Sequence, residues 1–350
     1  MKKLAVLLAL LLALLLAIPV CAEEEPLILQ RPDDAVEALA WAKEQDWEKT
    51  YTIGFGNISE ANAINIRMGD YIVECCEAYG INVIRTDNEL NGTKAVQNVQ
   101  TMLTRGIEGL IEFNVDESVG GVVMELCNEA GIPVMAIDIP HPGAVFFGAD
   151  NALAGTMAGE AVATAAMEKW GGLDCLLLVD QMASGELPRQ RILKAEDGVR
   201  NIIPDFPADK VYMVEGGTTA DVSQAAVSSF LTAHPDEHIG IVALQADNGV
   251  GTLAAIQTAG RDEDCVLVVN NEDYFFSHVA NYPEETCWYG CVTFQLTDYG
   301  QWIAPAMREI LDTGELPEAV YIEHHIVTRD NIDELFPTWR EDLENGLYPN

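Results

Sequence analysis

Basic residues are scarce in this chain. Its 350 residues include 19 Lys and Arg against 56 Asp and Glu, which gives a formal net charge of −37 at pH 7. Proteins that bind nucleic acid use Lys and Arg to neutralise phosphates, so this balance argues against a nucleic-acid partner. Long apolar runs are also scarce. After residue 20, no run is long enough to cross a bilayer.

The one long apolar run lies at the N-terminus. Two lysines precede apolar residues 4–20, and small residues and three glutamates follow. This order is typical of a secretory signal peptide, here residues 1–22, so we expect a soluble extracytoplasmic protein. Cleavage would leave Glu23 as the mature N-terminus. Lipid attachment at Cys21 is the alternative, and it would anchor the protein without making it span the membrane.

Signatures of catalysis and metal binding are missing. No Gly-x-Ser-x-Gly elbow is present, and the Gly-Phe-Gly of residues 54–56 lacks the third glycine of a dinucleotide fingerprint. The eight cysteines are irregularly spaced and have no histidine at zinc-ligand spacing. We therefore predict no enzyme activity, no cofactor and no metal site. Buried free thiols are favoured for the cysteines, with a Cys287–Cys291 pair as the alternative.

Strand-like and helix-like segments alternate from residue 48 onward. Apolar segments predict strands at 51–56, 81–87, 107–114 and 132–139, and the intervening segments predict helices at 60–79, 92–105 and 117–130. A fifth apolar stretch, "AVFFGAD", follows directly. This order predicts a mostly parallel sheet with helices on both faces.

The same alternation starts again at the Asp-Asn pair of residues 150–151. Helices are predicted at 151–170, 188–202, 220–233 and 249–260, and strands at 173–180, 210–216, 240–247 and 265–273. The first of these helices has an Ala/Gly face that would let it lie close to its sheet. No Pro- or Ser-rich linker separates the two series. The predicted fold class is α/β, with two Rossmann-like lobes built on parallel sheets.

A terminal helix at 298–313 needs a sheet to cover, and it sets the predicted domain organisation. Three crossovers are expected, near Ala149–Asp150, Gln295 and Tyr321–Glu323. The predicted domains are an N-terminal extension (23–47), an N-terminal lobe (48–149 plus 296–322), a C-terminal lobe (150–295 plus 323–335) and a C-terminal tail (336–350).

Two segments within these lobes, "DIPHPGAVFFGADNALAGTMAGEA" and "VALQADNGVGTLAAI", resemble the type I periplasmic binding proteins. The likeness is to the ribose/galactose branch, the sugar-binding components of ABC importers, and it covers residues 48–332. It implies a monomer that captures a monosaccharide between its lobes and delivers it to an ABC permease. An extracellular sensor that presents a sugar or an autoinducer-type furanose to a receptor kinase is the alternative.

The resemblance also implies which side chains contact the ligand. Asp138 closes the fourth strand, Arg189 begins the first helix of the second lobe, within an Arg-x-Arg segment, and Glu272 follows a Val-Val strand. Such carboxylates, amides and arginines suit sugar hydroxyls, and carboxyl ends of strands are where open α/β sheets bind ligands. The predicted ligand-binding residues are Asn57, Asp138, Arg189, Asp247, Glu272 and Gln295.

Two departures from the family pattern leave the ligand's identity open. Residues 57–65 contain no aromatic side chain to stack on a sugar ring, and Ala246 occupies a position where the family often has Asn. Phe55, Phe113 and Trp288 are candidates for the missing ring face, although buried aromatic residues belong to the core more often. Furanoses and cyclic polyols therefore remain alternatives to a common monosaccharide.

Overall fold

The computed structural model describes residues 26–114, 116–282 and 286–349. The predicted signal peptide, its cleavage point and Cys21 lie outside the described residues. Within the described ranges, no helix is both long and apolar enough to span a membrane.

The first sheet contains six parallel strands. They are β1 (Tyr51–Asn57), β2 (Ile81–Asp87), β3 (Leu110–Glu112), β4 (Val134–Ile137), β5 (Val145–Gly148) and β11 (Ala319–Tyr321). Their spatial order is β11-β5-β4-β3-β1-β2, and every neighbouring pair is parallel.

The second sheet repeats this design. Its strands are β6 (Cys175–Asp180), β7 (Val211–Glu215), β8 (Ile239–Ala243), β9 (Cys265–Asn270), β10 (Trp288–Val292) and β12 (Ile326–Thr328). Their order is β12-β10-β9-β8-β6-β7, and only the edge strand β12 is antiparallel to its neighbour. The predicted fold class, two α/β lobes with mostly parallel sheets, is confirmed.

The helices cover both faces of each sheet. They are α1 (Ala35–Ala42), α2 (Ala63–Ala78), α3 (Gly92–Thr104), α4 (Gly120–Ala130), α5 (Asn151–Trp170), α6 (Glu186–Leu193), α7 (Ala195–Ile202), α8 (Ala220–Ala233), α9 (Ala246–Ala259), α10 (Asp273–Asn281), α11 (Gly300–Thr313), α12 (Ile332–Leu335) and α13 (Trp339–Glu344). The chain passes between the sheets after β5, after β10 and after β11. The domain boundaries drawn from the sequence stay a prediction.

Several element boundaries differ from those predicted. The helix predicted at 188–202 is two helices, because the chain turns at Lys194 between α6 and α7. The strand predicted at 132–139 ends at Ile137, since Asp138 adopts a left-handed conformation with φ 57°. The helix predicted at 60–79 begins at Ala63, where the Asn62 side chain accepts a hydrogen bond from the Asn65 amide.

Residues 336–349 of the C-terminal tail pack against the second lobe. Trp339 of α13 is 1% exposed, and its ring lies beside Phe276 in the second core. The tail also reaches the first lobe, because Arg67 of α2 is 3.0 Å from Asp342 of α13. It therefore contacts both lobes close to the crossing that follows β10.

All seven described cysteines are buried free thiols, which is the expectation favoured from the sequence. The alternative pair between Cys287 and Cys291 is not formed. Burial raises the pKa of Cys175 and Cys265 to about 12, so these thiols are protonated at neutral pH.

Candidate ligand-binding site

Asp138 lies directly after β4, at the carboxyl end of the first sheet. Its left-handed backbone turns the carboxylate toward Tyr299, whose hydroxyl donates to Oδ1 and Oδ2 at 3.1 and 3.2 Å. Gly148 faces the same carboxylate, and a Cβ there would lie 2.5 Å from Asp138 Oδ1. Burial raises the pKa of Asp138 to about 6, and attraction to Arg191 opposes that rise.

Arg191, on α6, carries the main positive charge next to this carboxylate. Its Nε donates to Asn151 Oδ1 at 2.7 Å, and its guanidinium carbon lies 4.0 Å from the centre of the Phe294 ring. Burial lowers the pKa of Arg191 to about 10, against the attraction of Asp138. Among the described residues, neither terminal nitrogen of this guanidinium has a hydrogen-bond partner. Two forked donors therefore remain available to a ligand.

Glu272 fixes the crossing that follows β10. Its Oε2 accepts the Phe294 amide and its Oε1 accepts the Gln295 amide, both at 2.8 Å. Gln295 has a left-handed φ of 45°, and its side chain donates to the Glu323 carbonyl at 2.7 Å. This last bond ties the second crossing to the third. Burial raises the pKa of Glu272 to about 7, and the charge of Asp273 adds to the rise.

The other three predicted ligand residues lie at the end of β1 and in the helices that follow β6 and β8. Asn57 is buried, and its amide nitrogen donates to the Ser59 carbonyl in the loop after β1, at 3.2 Å, and to the Asn65 carbonyl in α2, at 3.1 Å. Arg189 pairs with the buried Asp180 at the end of β6, with Nε 2.9 Å from Oδ2. Asp247 lies in the first turn of α9 and is half-buried.

The structure brings Asp138, Glu272 and Gln295 into one polar cluster with Arg191. Arg189 does not join this cluster, because its guanidinium is held by Asp180. Arg191 was not among the residues predicted from the sequence, although the Arg-x-Arg segment contains both arginines. Residues two apart on a helix point about 200° away from each other, so only one of the two arginines can face Asp138.

The aromatic candidates lie in the core. Phe55 is fully buried and Trp288 is 2% exposed, while Phe113 is 7% exposed. Besides Tyr299, the structure places the ring of Phe294 in the cluster, at the crossing after β10, and Arg191 covers one of its faces. Phe294 was not predicted from the sequence, because the position of a crossing loop relative to the opposite lobe has no local sequence signal.

This combination of two parallel α/β lobes, three crossings and a polar cluster at facing strand ends defines a periplasmic binding protein. Residues 53–316 match the family model described as a periplasmic binding protein domain, and the chain belongs to that family. Such proteins work outside the cytoplasm, and the relatives found are binding proteins rather than enzymes.

Two relatives are the ribose import binding proteins of Escherichia coli (strain K12) and Bacillus subtilis (strain 168). The first is 29% identical over 59% of this chain and 68% of its own length. The second is 25% identical over 67% of this chain and 74% of its own.

Solved structures show the same fold. A periplasmic ribose ABC transporter protein from Conexibacter woesei DSM 14684 has a TM-score of 0.67 at 16% identity, covering 82% of this chain and 95% of its own. A solute-binding protein from Bacillus halodurans C-125 with bound myo-inositol has a TM-score of 0.60 at 19% identity, covering 83% and 99%.

Ionisation of Glu272 is expected to destabilise the protein. The pKa of this group rises on folding from 4.5 to about 7, so the folded chain binds more protons than the unfolded chain within that window. Protonated Glu272 therefore makes its full contribution to the free energy of unfolding below pH 4.5, and this contribution is lost as pH rises toward 7. In urea unfolding, Glu272→Gln should flatten this decline, while Glu263→Gln, at an exposed side chain, should not. Equal slopes in both variants would refute the assignment.

Proposed function

We propose that this protein binds a small neutral polar ligand, a monosaccharide or a cyclic polyol, between its lobes and delivers it to an ABC permease. The observation that carries the proposal is the free donor fork of Arg191 beside the buried carboxylate of Asp138. A fork of donors next to a carboxylate matches the paired donors and acceptors of neighbouring hydroxyl groups. Import, rather than signalling to a receptor kinase, is supported by the ribose import relatives.

Each lobe supplies part of the proposed site. Asp138 follows a strand of the first sheet, Arg191 lies on a helix of the second lobe, and Gln295 lies at a crossing between them. A ligand that contacts all three makes its full set of contacts only when the lobes are closed. It therefore stabilises the closed arrangement by its differential affinity for that state.

The remaining predicted residues complete the proposal. Asn57 and Asp247 are proposed to add polar contacts from the end of β1 and the start of α9. Arg189 and Glu272, whose charged groups are already bonded within the protein, are proposed to hold the site's shape. The mature protein is proposed to be an extracytoplasmic monomer that begins at Glu23 or carries a lipid on Cys21.

A thermal-shift screen of the exported protein tests the ligand class. We expect monosaccharides or cyclic polyols to raise the melting temperature, since a ligand at 100 times its Kd stabilises the folded state by about 2.7 kcal/mol. Asp138→Asn, which preserves side-chain shape and tolerates a left-handed backbone, should abolish the shift. Asp150→Asn, at a helix cap, should keep it. Shifts by amino acids or nucleosides alone, or an undiminished shift in Asp138→Asn, would contradict the proposal.

A further inference from the structure

A second cluster of potential ligand atoms lies at the opposite end of the second lobe. The Sγ of Cys175, a ring nitrogen of His234 and a carboxylate oxygen of Glu237 all lie within 4.8 Å of one another. Cys175 is the first residue of β6, and the other two lie between α8 and β8. Because β6 and β8 are paired, with Cys175 opposite Ile239, the loop that enters β8 brings them together.

The protein holds two of these groups in place. The ring of His234 stacks on Phe230, with 4.1 Å between ring centroids, and Tyr212 packs edge-on against it. Arg261 donates to the backbone carbonyls of both His234 and Glu237, at 3.0 and 2.8 Å, and so fixes the loop that carries them.

The carboxylate of Glu237 is oriented as well. Its Oε1 accepts from Lys210 Nζ at 3.2 Å, which leaves Oε2 in contact with His234 Nδ1. Hydrogen-bonded partners behind a metal-binding carboxylate are a common feature of metal sites, because they set its direction. Cys175 is fully buried, whereas His234 and Glu237 are each partly exposed, so the cluster has a route to solvent.

Although the sequence spacing predicted no metal site, we propose that Cys175, His234 and Glu237 form a zinc-binding site, with water in the fourth position. Thiolate, imidazole and carboxylate are the ligands that Zn²⁺ uses, at bond lengths of about 2.0–2.3 Å. Tetrahedral ligands at those lengths are about 3.5 Å apart. The three groups lie within 4.8 Å of one another, and Glu237 Oε2 must part from His234 Nδ1 for an ion to enter between them. A thiolate and an imidazole together disfavour Mg²⁺ and Ca²⁺, which prefer oxygen ligands.

Binding changes one covalent bond in the protein. The S–H bond of Cys175 breaks, a Zn–S bond forms, and the proton passes to solvent. His234 and Glu237 donate lone pairs without a change in oxidation state. The site would join the start of β6 to the loop before β8, far from the polar cluster at the carboxyl ends of the strands. It is therefore independent of sugar binding.

The test uses metal-free exported protein titrated with Zn²⁺ and, as a spectroscopic probe, Co²⁺. We expect one equivalent of Co²⁺ to give the near-ultraviolet thiolate-to-cobalt absorption, Zn²⁺ to abolish it, and at least one proton to be released per Zn²⁺. Cys175→Ala should remove the absorption and weaken Zn²⁺ binding at least about a hundredfold, since even outer partners contribute about 10- to 100-fold.

Cys265→Ala is the matched control, because Cys265 is likewise a buried first residue of a strand, β9. It should retain the absorption. His234→Gln removes a ligand without emptying a core position, and it decides the outcome if Cys175→Ala fails to fold. Absence of the absorption in the unmodified protein, or its persistence in Cys175→Ala or His234→Gln, would overturn the proposal.

Discussion

Arg191→Met is expected to weaken sugar binding by at least about a hundredfold, whereas Arg189→Met should change the affinity by less than about tenfold. A buried hydrogen bond to a charged group contributes about 1.5–3 kcal/mol, and each 1.4 kcal/mol is a factor of ten in Kd. Arg191 offers two unpartnered terminal nitrogens, so its loss removes more than one such bond.

The loss of Arg191 also changes the carboxylate next to it. The attraction of Arg191 currently opposes the upward shift that burial imposes on the pKa of Asp138. Without that attraction the pKa of Asp138 should rise further, and the protonated group would accept hydrogen bonds from hydroxyl groups less well. Arg189 has no comparable role, because its guanidinium is already paired with the carboxylate of Asp180.

Titration calorimetry with the best sugar or polyol from the thermal-shift screen distinguishes the two arginines. Both variants replace an arginine on α6 by an unbranched apolar residue of similar length, so helix propensity is matched. The variant proteins should have similar unfolding midpoints if they are to be compared. A larger loss of affinity in Arg189→Met than in Arg191→Met would show that Arg189, the residue predicted from the sequence, is the arginine that contacts the ligand.

The fold was predictable because its signals are local and repeated. Apolar strands and intervening helices occur in two series, and the Asp-Asn pair at 150–151 marks the start of the second series. Asp150 does cap α5, since its side chain accepts the Leu153 amide at 2.9 Å. Each of these features depends on residues that are close together in the chain, so each can be predicted from the sequence alone.

The site was predictable only in part, because its details depend on register and on distant contacts. Asp138 could be found from its place at the end of a strand. The choice between Arg189 and Arg191 depends on the rotation of α6 about its axis, which is set by packing on α5. Both Glu272 oxygens are occupied by backbone amides of the crossing loop, and those amides belong to residues 22 and 23 positions further along the chain.

The packing of the small residues of α5 was likewise only partly predictable from the sequence. The Ala/Gly face was expected to bring this helix close to its sheet, but its glycines face neighbouring helices instead. A Cβ on Gly159 would lie 2.0 Å from the Ala195 carbonyl oxygen of α7, and a Cβ on Gly198 would lie 2.0 Å from the Thr156 carbonyl oxygen of α5. The sequence predicts a close contact here, whereas the identity of the partner follows from the tertiary structure.

Gly159→Ala should therefore destabilise the protein, although alanine is the better helix former. Its added methyl group meets backbone rather than a flexible side chain, so α5 and α7 must separate. Overpacking of this kind costs about 1–3 kcal/mol, which exceeds the gain of about 1 kcal/mol from helix propensity. Separation of α5 from α7 would also disturb α6, and with it the position of Arg191, so ligand affinity should fall in the same variant.

Gly121→Ala is the matched control, because Gly121 is an exposed residue of α4 with no atom within 4 Å of an added Cβ. It should stabilise the protein by up to about 1 kcal/mol. Urea unfolding followed by circular dichroism should thus give midpoint shifts of opposite sign for the same chemical change. If Gly159→Ala raises the midpoint as Gly121→Ala does, α5 and α7 are not in the close contact that holds Arg191 toward Asp138.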